Sequence, residues 1–351
     1  MQTKRLNRTT IWGRLPLFLY CAAVLLTALP VASRADAPPA SADPAARQSA
    51  AQWLDRIHVA AQRLNYEGTF VYQRGDFVQS SRITHYATHR DGEYEQLESL
   101  DGKPRKMLRH NDDLYTFVPE RHLLVVEKRQ NKDSFPALLA TSGGDVLAYY
   151  EPKLAGTDRV AGIDAQVIQL DPKDQYRFAY RLWADQKTGL LLRAQTLDKT
   201  GQVLEQLSFT QIRIGVPADP APIADGIRNT AGWTVVHPPL QTVDMEAQGW
   251  TFPPAVPGFR KIRELRRPMA ARDANDPPIP VDQAVFTDGL AAISIFIEPV
   301  ANNSRKEGTG SSGATHVLVK RRGNYWITLL GEVPEATLQQ FAAAIEYKAP
   351  R

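Results

Sequence analysis

Cysteine is almost absent from this sequence, since Cys21 is the only one in 351 residues. It lies in an apolar run near the N-terminus, in a segment that we expect to be removed on export. The remaining chain then has no disulfide, no thiol nucleophile and no thiolate ligand for a metal. Tyr20 before it and its place deep in the apolar run argue against a lipoprotein cleavage site.

Acidic residues are absent from positions 1–35, which carry five basic residues. A basic stretch that ends at Arg14, an apolar run over 15–32 and small residues within 33–37 predict a secretory signal peptide over 1–35 that is cleaved on export. A transmembrane anchor is the alternative, because the apolar run approaches spanning length. Two prolines bound the run and no stop-transfer flank follows it, which favours cleavage.

A net charge of one sign is also lacking once this segment is removed. The full chain has 42 Lys and Arg against 38 Asp and Glu, and the five basic residues of 1–35 account for the excess. The rest of the chain is therefore close to neutral. We predict no nucleic-acid partner, since such partners select for a strongly basic surface.

Catalytic and cofactor signatures are missing as well. His85 and His89 are four apart, but in a strand at ~3.3 Å per residue they lie roughly 13 Å apart, too far to share one metal ion. Residues 308–313 match G-x-G-x-x-G, yet we predict strands on both sides of them, where a nucleotide site needs a helix after the glycines. No G-x-S-x-G is present. We predict no metal, no cofactor and no enzymatic activity, which favours a binding protein.

Strand-forming patterns are what the sequence has in quantity. Phe70 and Tyr72 alternate with Thr69 and Val71, a period of two that is typical of a strand. Asp-Gly pairs such as 101–102 then punctuate further alternating segments and predict antiparallel hairpins. Before this meander, Asp-Pro at 43–44 suits a helix start and is followed by an amphipathic stripe.

Composition divides the rest of the chain into four parts. Residues 36–46 are rich in Pro and Ala and predict a flexible leader. Residues 47–214 hold most of the strand patterns and predict an N-terminal domain. Residues 215–230 contain several prolines and few large apolar residues, which predicts a linker. Residues 231–351 predict a C-terminal domain of antiparallel strands and a final helix. The fold class is mainly β (α+β), with a half-open antiparallel barrel and covering helices in the N-terminal domain.

Two basic clusters stand out in the predicted C-terminal domain. One is in a predicted strand, and its charges on both faces indicate an edge position or incomplete cover. The other is at a predicted hairpin tip, and a Ser/Gly-rich stretch at 301–313 before it predicts a loop. Such runs are most often solvated faces, but together they could bind phosphate groups or an acidic partner segment. The cationic residues are Arg260, Lys261, Arg263, Arg266 and Arg267 in the first cluster, and Lys320, Arg321 and Arg322 in the second.

Several segments resemble one family of regulators. Asn-Tyr-Glu-Gly-Thr-Phe-Val-Tyr at 65–72 and Leu-Asp-Gly-Lys-Pro-Arg at 100–105 resemble the periplasmic sigma-E regulators RseB and MucB, as do 285–299, 313–316 and 330–337. The resemblance covers nearly all of the chain after the signal peptide, in order. Within it, 180–196 is similar to the lipoprotein-carrier (LolA/LolB-like) fold, whose half-open barrel holds lipid chains.

The resemblance implies a periplasmic stress sensor. Such proteins bind the periplasmic domain of an RseA/MucA-like, membrane-anchored anti-sigma factor, shield it from regulated proteolysis and restrain a sigma-E-type response. Lipopolysaccharide or another acyl-chain amphiphile is the implied releasing signal. A periplasmic lipid or lipoprotein carrier is the alternative, although a simple carrier has no need of 231–351. The sequence leaves open whether the protein forms a homo-oligomer.

Lipid binding would use the concave apolar face of an unclosed sheet. We select large aromatic residues of the N-terminal domain as candidates for its lining, although each is also a plausible core residue. The candidates are Trp53, Phe70, Tyr72, Phe117, Tyr149 and Trp183.

Overall fold

The computed structural model describes residues 44–128, 146–269, 279–300 and 305–349. The predicted signal peptide and nearly all of the predicted leader therefore lie outside the described residues. Among the residues that are described, no helix has the length and apolar character needed to cross a membrane.

A large, mostly antiparallel sheet dominates the N-terminal part. Within the described residues it has twelve strands. They are β1 (Tyr66–Arg74), β2 (Phe77–Thr88), β3 (Gly92–Ser99), β4 (Lys106–His110), β5 (Asp113–Val118), β6 (Leu123–Lys128), β7 (Tyr150–Val160), β8 (Ile163–Pro172), β9 (Ala179–Asp185), β10 (Leu191–Leu197), β11 (Val203–Ile214) and β12 (Thr234–Val236). Their order across the sheet is β12-β6-β5-β4-β3-β2-β1-β11-β10-β9-β8-β7.

Strand β1 joins the two halves of this sheet. It pairs with β2 on one side and with the distant β11 on the other, both antiparallel. Gly68 permits the second pairing, because a Cβ there would lie 2.6 Å from the Gln211 carbonyl oxygen and 2.8 Å from the Phe209 ring. The predicted turn at 101–102 is confirmed, since it connects β3 to β4 with Gly102 at a φ of 68°.

The described helices cover parts of both sheets. They are α1 (Pro44–Arg63), α2 (Val146–Tyr149), α3 (Ala221–Arg228) and α4 (Glu335–Ala344). Helix α1 begins at Pro44, where the Asp-Pro pair predicts it. Its Leu54 and Ile57 are fully buried and pack with Ile168 and Leu182 of the large sheet. These side chains form the main core of the N-terminal part.

The large sheet is curved, and its two edges do not meet within the described residues. Val160 at the end of β7 and Ile163 at the start of β8 share a cluster with Ile212 and Ile214 of β11, although β9 and β10 lie between β8 and β11 in the sheet. Contact across these intervening strands requires the sheet to curl. Since the edge strands β12 and β7 do not pair in the described part of the chain, the prediction of an open antiparallel sheet is confirmed.

The segment predicted as a linker, 215–230, contains α3 and packs on the large sheet. Ile223 of α3 is buried beside Leu108 and Leu124, and Ala224 and Ile227 pack against the same cluster. This apolar stripe is short, which is why composition alone indicates a linker. Strand β12 follows and pairs in parallel with β6. The boundaries of the two domains stay a prediction.

The C-terminal part has a seven-stranded sheet and a strand pair among its described residues. The strands are β13 (Gln241–Thr242), β14 (Trp250–Thr251), β15 (Arg260–Met269), β16 (Ile279–Thr287), β17 (Ala292–Pro299), β18 (Gly308–Ser312), β19 (Thr315–Arg322), β20 (Tyr325–Gly331) and β21 (Glu346–Tyr347). The order is β13-β15-β16-β17-β20-β19-β18, and β14 pairs with β21.

Helix α4 covers one face of this smaller sheet. Leu338 and Phe341 of α4 are buried with Ile293, Ile295 and Leu329. The prediction of a smaller antiparallel C-terminal sheet with a final helix is confirmed, and so is the mainly β fold class. The predicted loop at 301–313 is wrong for its last part, because 308–312 form β18. Pairing with β19 holds this Gly/Ser-rich stretch extended despite its low strand propensity.

Candidate functional site

A cleft of about 770 Å³ lies where an edge of the large sheet faces an edge of the small sheet. Strands β5 and β6 form one wall, β15 forms the other, and the connection around β13 lies between them. The lining residues are Asp113, Val126, Glu127, Lys128, His237, Pro238, Leu240, Gln241, Thr242, Val243, Lys261, Ile262, Arg263, Glu264 and Leu265.

Each wall of the cleft contains a strand that forms only a short ladder on the cleft side. On the large sheet, the ladder of β12 with β6 spans residues 123–125. On the small sheet, the ladder of β13 with β15 spans Leu265 and Arg266. A strand edge beyond such a short ladder can accept an added strand from a partner through backbone hydrogen bonds.

The cations of the first basic cluster are mostly paired. Lys261 donates hydrogen bonds to Glu246 at 3.1 Å and to Glu264 at 2.7 Å. Desolvation disfavours its charge, but these hydrogen bonds outweigh it and raise the pKa of Lys261. Arg266 makes a two-pronged bond to Asp282 at 2.6 and 2.9 Å, which raises the pKa of Arg266. The cleft therefore has balanced charges, and Ile262 is its exposed apolar element.

A buried ion pair joins the two sheets. Arg177, between β8 and β9, donates through Nε to Asp288 at 2.7 Å, and both side chains are fully buried. The same guanidinium donates to the Pro257 carbonyl at 2.5 Å and to Asp174. Gly258 next to it has a φ of 91°, and a Cβ there would meet the Tyr149 ring. We call this cluster the arginine joint. It ties the segment leading into β15 to the large sheet.

A second contact between the sheets centres on Glu205 of β11. Its carboxylate accepts hydrogen bonds from the Ala314 backbone N–H at 3.1 Å and from the Tyr72 hydroxyl at 3.1 Å. Desolvation by the surrounding protein raises the pKa of the exposed Glu332, just after β20, to about 6, and the charge of Glu205 adds to the rise while Arg74 opposes it. We call this cluster the glutamate joint. Burial and Glu205 also raise the pKa of Tyr72.

The two joints rest on residues without a local sequence signal. Arg177 is a single arginine in a loop, and Asp288 belongs to an Asp-Gly pair that predicts only a turn. Glu205 lies in an ordinary strand pattern. Their partners are 111 and 109 residues away in the chain, so only the fold brings them together.

The structure distributes the six lipid candidates over several clusters. Trp53 and Tyr149 pack against the core beneath α1, Phe70 packs edge-on against Phe209, and Phe117 packs edge-on against Trp233. Tyr72 belongs to the glutamate joint. Trp183 packs with Val167 and Leu192 in a separate cluster and donates to Asp158 at 2.8 Å. These contacts place the candidates in several packing clusters of the described residues, and their role in lipid binding stays a prediction.

The second basic cluster lies far along the sheet order from the first. Lys320, Arg321 and Arg322 end β19, whose neighbours are β18 and β20, whereas the first cluster is on β15. Lys261 and Arg263 of the first cluster line the cleft, and Arg267 pairs in register with Val281 of β16. The structure therefore places the two clusters on different strands, and their binding of phosphate groups or an acidic segment stays a prediction.

The histidine spacing corresponds to a structural role. His85 is buried, stacks on Tyr66 with ring centroids 4.8 Å apart, and has Nδ1 2.9 Å from the Leu64 carbonyl oxygen. Desolvation lowers the pKa of His85. Over the described ranges, no group of three or more His, Cys, Asp and Glu side chains is arranged to hold a metal ion.

Family models match both parts of the chain. The MucB/RseB N-terminal domain matches residues 49–227, and the MucB/RseB C-terminal domain matches residues 244–346. The sigma factor AlgU regulatory protein MucB of Pseudomonas aeruginosa is 30% identical over 311 residues, covering 86% of this chain and 92% of that protein. The sigma-E factor regulatory protein RseB of Escherichia coli (strain K12) is 28% identical over 312 residues, covering 88% of this chain and 94% of that protein.

Solved structures give the same result. The crystal structure of MucB in complex with MucA(peri) is similar with a TM-score of 0.65 and 28% identity, covering 86% of this chain and 99% of that one. A MucA/MucB complex from Pseudomonas aeruginosa gives a TM-score of 0.67 and 29% identity, with the same coverage. Sequence and fold agree over both parts of the chain, which therefore belongs to the MucB/RseB family.

Proposed function

We propose that this chain is a periplasmic regulator that binds the periplasmic region of a membrane-anchored anti-sigma factor and so restrains a sigma-E-type envelope stress response. Relatives described as regulators of AlgU and sigma-E, and a MucB structure in complex with MucA(peri), support this function. In this proposal the protein acts by binding and shields its partner from proteolysis, without catalysis of its own.

The cleft is the observation that carries this proposal. It is lined by strands of two different sheets, β6 next to its short ladder with β12 and β15 next to its short ladder with β13. An extended segment of the anti-sigma factor can hydrogen-bond to the edge of such a strand, while Ile262 offers it an apolar contact. The arginine joint fixes the spacing of the walls, so little free energy is spent on ordering them when the partner binds.

A lipid signal would release the partner. The open, curved sheet of the N-terminal part supports binding of an acyl chain, as with lipopolysaccharide, more than a closed barrel would. The six aromatic candidates are distributed over several clusters, so we propose that only a subset of them contacts one acyl chain. Release would follow if lipid and anti-sigma factor favour different arrangements of the two sheets.

The test is a charge placed in the cleft. We expect Ile262→Glu to weaken binding of the anti-sigma periplasmic domain from the same organism at least about tenfold, because it buries a carboxylate beside Glu264 and Glu127. Val203→Glu is the matched control, since Val203 is 43% exposed, Ile262 is 42% exposed, and Val203 is not among the lining residues of the cleft. Calorimetric titration measures both.

Equal affinity of the two variants would place the partner elsewhere. Adding lipopolysaccharide to the preformed complex, at low and moderate salt, tests the release step separately. We expect displacement of the anti-sigma domain by lipopolysaccharide but not by its sugar portion without acyl chains. Displacement by both would assign release to phosphate groups and not to acyl chains.

A further inference from the structure

Strand β18 forms an edge of the small sheet that lacks the usual protection. Its five residues, Gly308–Ser312, are all exposed and include no charged, bulky or proline residue. On its outer side it has no strand partner in the described part of the chain. Natural sheet edges are normally blocked by charges, bulges or short length.

The other terminal strands of the large sheet and of the small sheet are protected in these ways. Strand β7 carries Lys153, Asp158 and Arg159 and has an irregular register between Leu154 and Thr157. Strands β12 and β13 span only three and two residues. Strand β18 is therefore the described terminal strand that most readily accepts another strand.

A groove of about 410 Å³ lies beside this edge, between β18–β20 and α4. Leu318 and Ile327 of the sheet and Ala342 and Ala343 of α4 give it an apolar floor. Thr309 of β18 also lines it, so the strand edge and the groove form one continuous surface. The groove therefore has room for an apolar side chain of an added strand.

The second basic cluster forms the end of the groove. Lys320, Arg321 and Arg322 all line it, and within the described residues none of the three side chains forms an ion pair with a carboxylate. Among the described residues, the Arg321 side chain donates to the Gly323 carbonyl and the Arg322 side chain to the Ala342 carbonyl. The chain itself places one carboxylate here, since Glu307 accepts the Arg321 backbone N–H at 2.7 Å.

We propose that β18 and this groove bind an extended acidic peptide segment as an added antiparallel strand. Alternate side chains of such a strand point towards α4, so an apolar one enters the groove. Strand β18 runs away from the basic end, because Gly308 pairs with Val319 and Ser312 with Thr315. In an antiparallel addition the C-terminal end of the peptide therefore reaches Lys320. This predicts an apolar residue followed by carboxylates.

A peptide fits these features better than a lipid does. The basic end alone would attract any phosphate or carboxylate. The backbone groups along the β18 edge, however, form a ladder of hydrogen bonds only with a partner that has a peptide backbone. This surface is on the opposite side of the small sheet order from the cleft, so the proposal does not depend on the proposed function.

The test uses the full chain and a fluorescent nine-residue peptide of alternating valine and threonine with a central leucine and three C-terminal aspartates. We expect saturable binding by fluorescence anisotropy and slower hydrogen exchange of the 308–312 amides. An analogue N-methylated at every second residue keeps the charge but loses strand donors, and we expect about tenfold weaker binding. Equal binding of both peptides would overturn the added strand.

Variants of the protein locate the site. Lys320→Glu and Ala343→Trp, which fills the groove from an exposed position, should each weaken the peptide about tenfold. Lys199→Glu, a charge reversal in the turn between β10 and β11, and Ile262→Glu in the cleft should leave it unchanged. No loss with either groove variant overturns the proposal. Phosphatidylglycerol vesicles that bind through Lys320 while the peptide does not would also overturn it.

Discussion

The arginine joint and the glutamate joint both connect the large sheet to the small sheet, but their electrostatics are opposite. In the arginine joint, Arg177 and Asp288 carry opposite charges, both are 0% exposed, and the guanidinium has three acceptors. In the glutamate joint, Glu205 and Glu332 carry like charges, and Arg74 is the cation that opposes their repulsion. The first joint has its charges compensated and the second does not.

This difference separates a fixed contact from an adjustable one. Buried opposite charges cannot part without leaving one of them uncompensated, so the arginine joint resists opening. Two carboxylates can be relieved by a single proton, so the glutamate joint responds to pH. The cleft therefore lies between two sheets that the arginine joint holds firmly and that the glutamate joint holds in a pH-dependent way.

Removal of the buried carboxylate gives the sharpest test of this comparison. We expect Asp288→Ala to lower the free energy of unfolding by about 3–5 kcal/mol, because Arg177 stays buried without its main partner. Replacing both residues, as Arg177→Met with Asp288→Leu, should cost clearly less than the single change. Urea unfolding measures both.

An exposed ion pair of similar geometry provides the control. Lys153 and Asp171 are 2.9 Å apart, but their side chains are 49% and 39% exposed. Asp171→Ala should therefore cost less than about 1 kcal/mol. If Asp288→Ala cost no more than this, burial of the arginine joint would not be what holds the sheets.

Removal of the Glu205 carboxylate, the acceptor of the glutamate joint, should lower the free energy of unfolding by an intermediate amount. Glu205→Ala leaves the buried Ala314 N–H and the Tyr72 hydroxyl without their acceptor, and we expect a loss of about 1–3 kcal/mol. Glu205→Gln keeps an acceptor and should restore most of it. Hydrogen exchange of the Ala314 amide should speed up in the Ala variant only. Unchanged exchange would mean that Glu205 does not hold this contact.

The smallest expected effect is the pH response of Glu332. Its native pKa of about 6 lies above its ordinary value of 4.5. The native state therefore keeps a proton that the unfolded state has lost, and the free energy of unfolding falls as pH rises from about 4.5 to about 6. Glu332→Gln removes this penalty.

Solvent limits the size of this response. Glu332 is exposed although protein surrounds it on several sides, so we expect the gain at pH 7.5 to be under about 1 kcal/mol. The variant and the parent should have equal stability near pH 4. A gain that persists at pH 4 would assign the effect to packing and not to charge.

Sequence patterns were sufficient where the physics is local. Alternation at 65–72 predicts β1, the Asp-Gly pair at 101–102 predicts a turn, and the Asp-Pro pair at 43–44 predicts the start of α1. They were insufficient where distant pairing decides. Gly308–Ser312 has a loop composition and is extended only because β19 pairs with it, and α3 forms where composition indicates a linker.

The same distinction between local patterns and distant contacts applies to the candidate site. The basic clusters are visible in the sequence, because charge runs are local. The sequence does not show whether these cations form ion pairs. The fold brings Lys261 to Glu246 and Arg266 to Asp282, while Lys320 has no carboxylate partner in the described residues. The aromatic candidates are equally visible in the sequence, but only the packing shows that they are distributed over several clusters.

Local sequence patterns were enough to predict the strand-rich character, the hairpin turns, the two basic clusters and the family resemblance, because each depends on neighbouring residues or on an ordered series of short segments. The cleft between the two sheets and the two joints depend on the fold, because they bring together residues that are distant in the chain. Arg177 and Asp288 are 111 residues apart, and a charge becomes a buried joint only when the fold removes water from around it and supplies its partner.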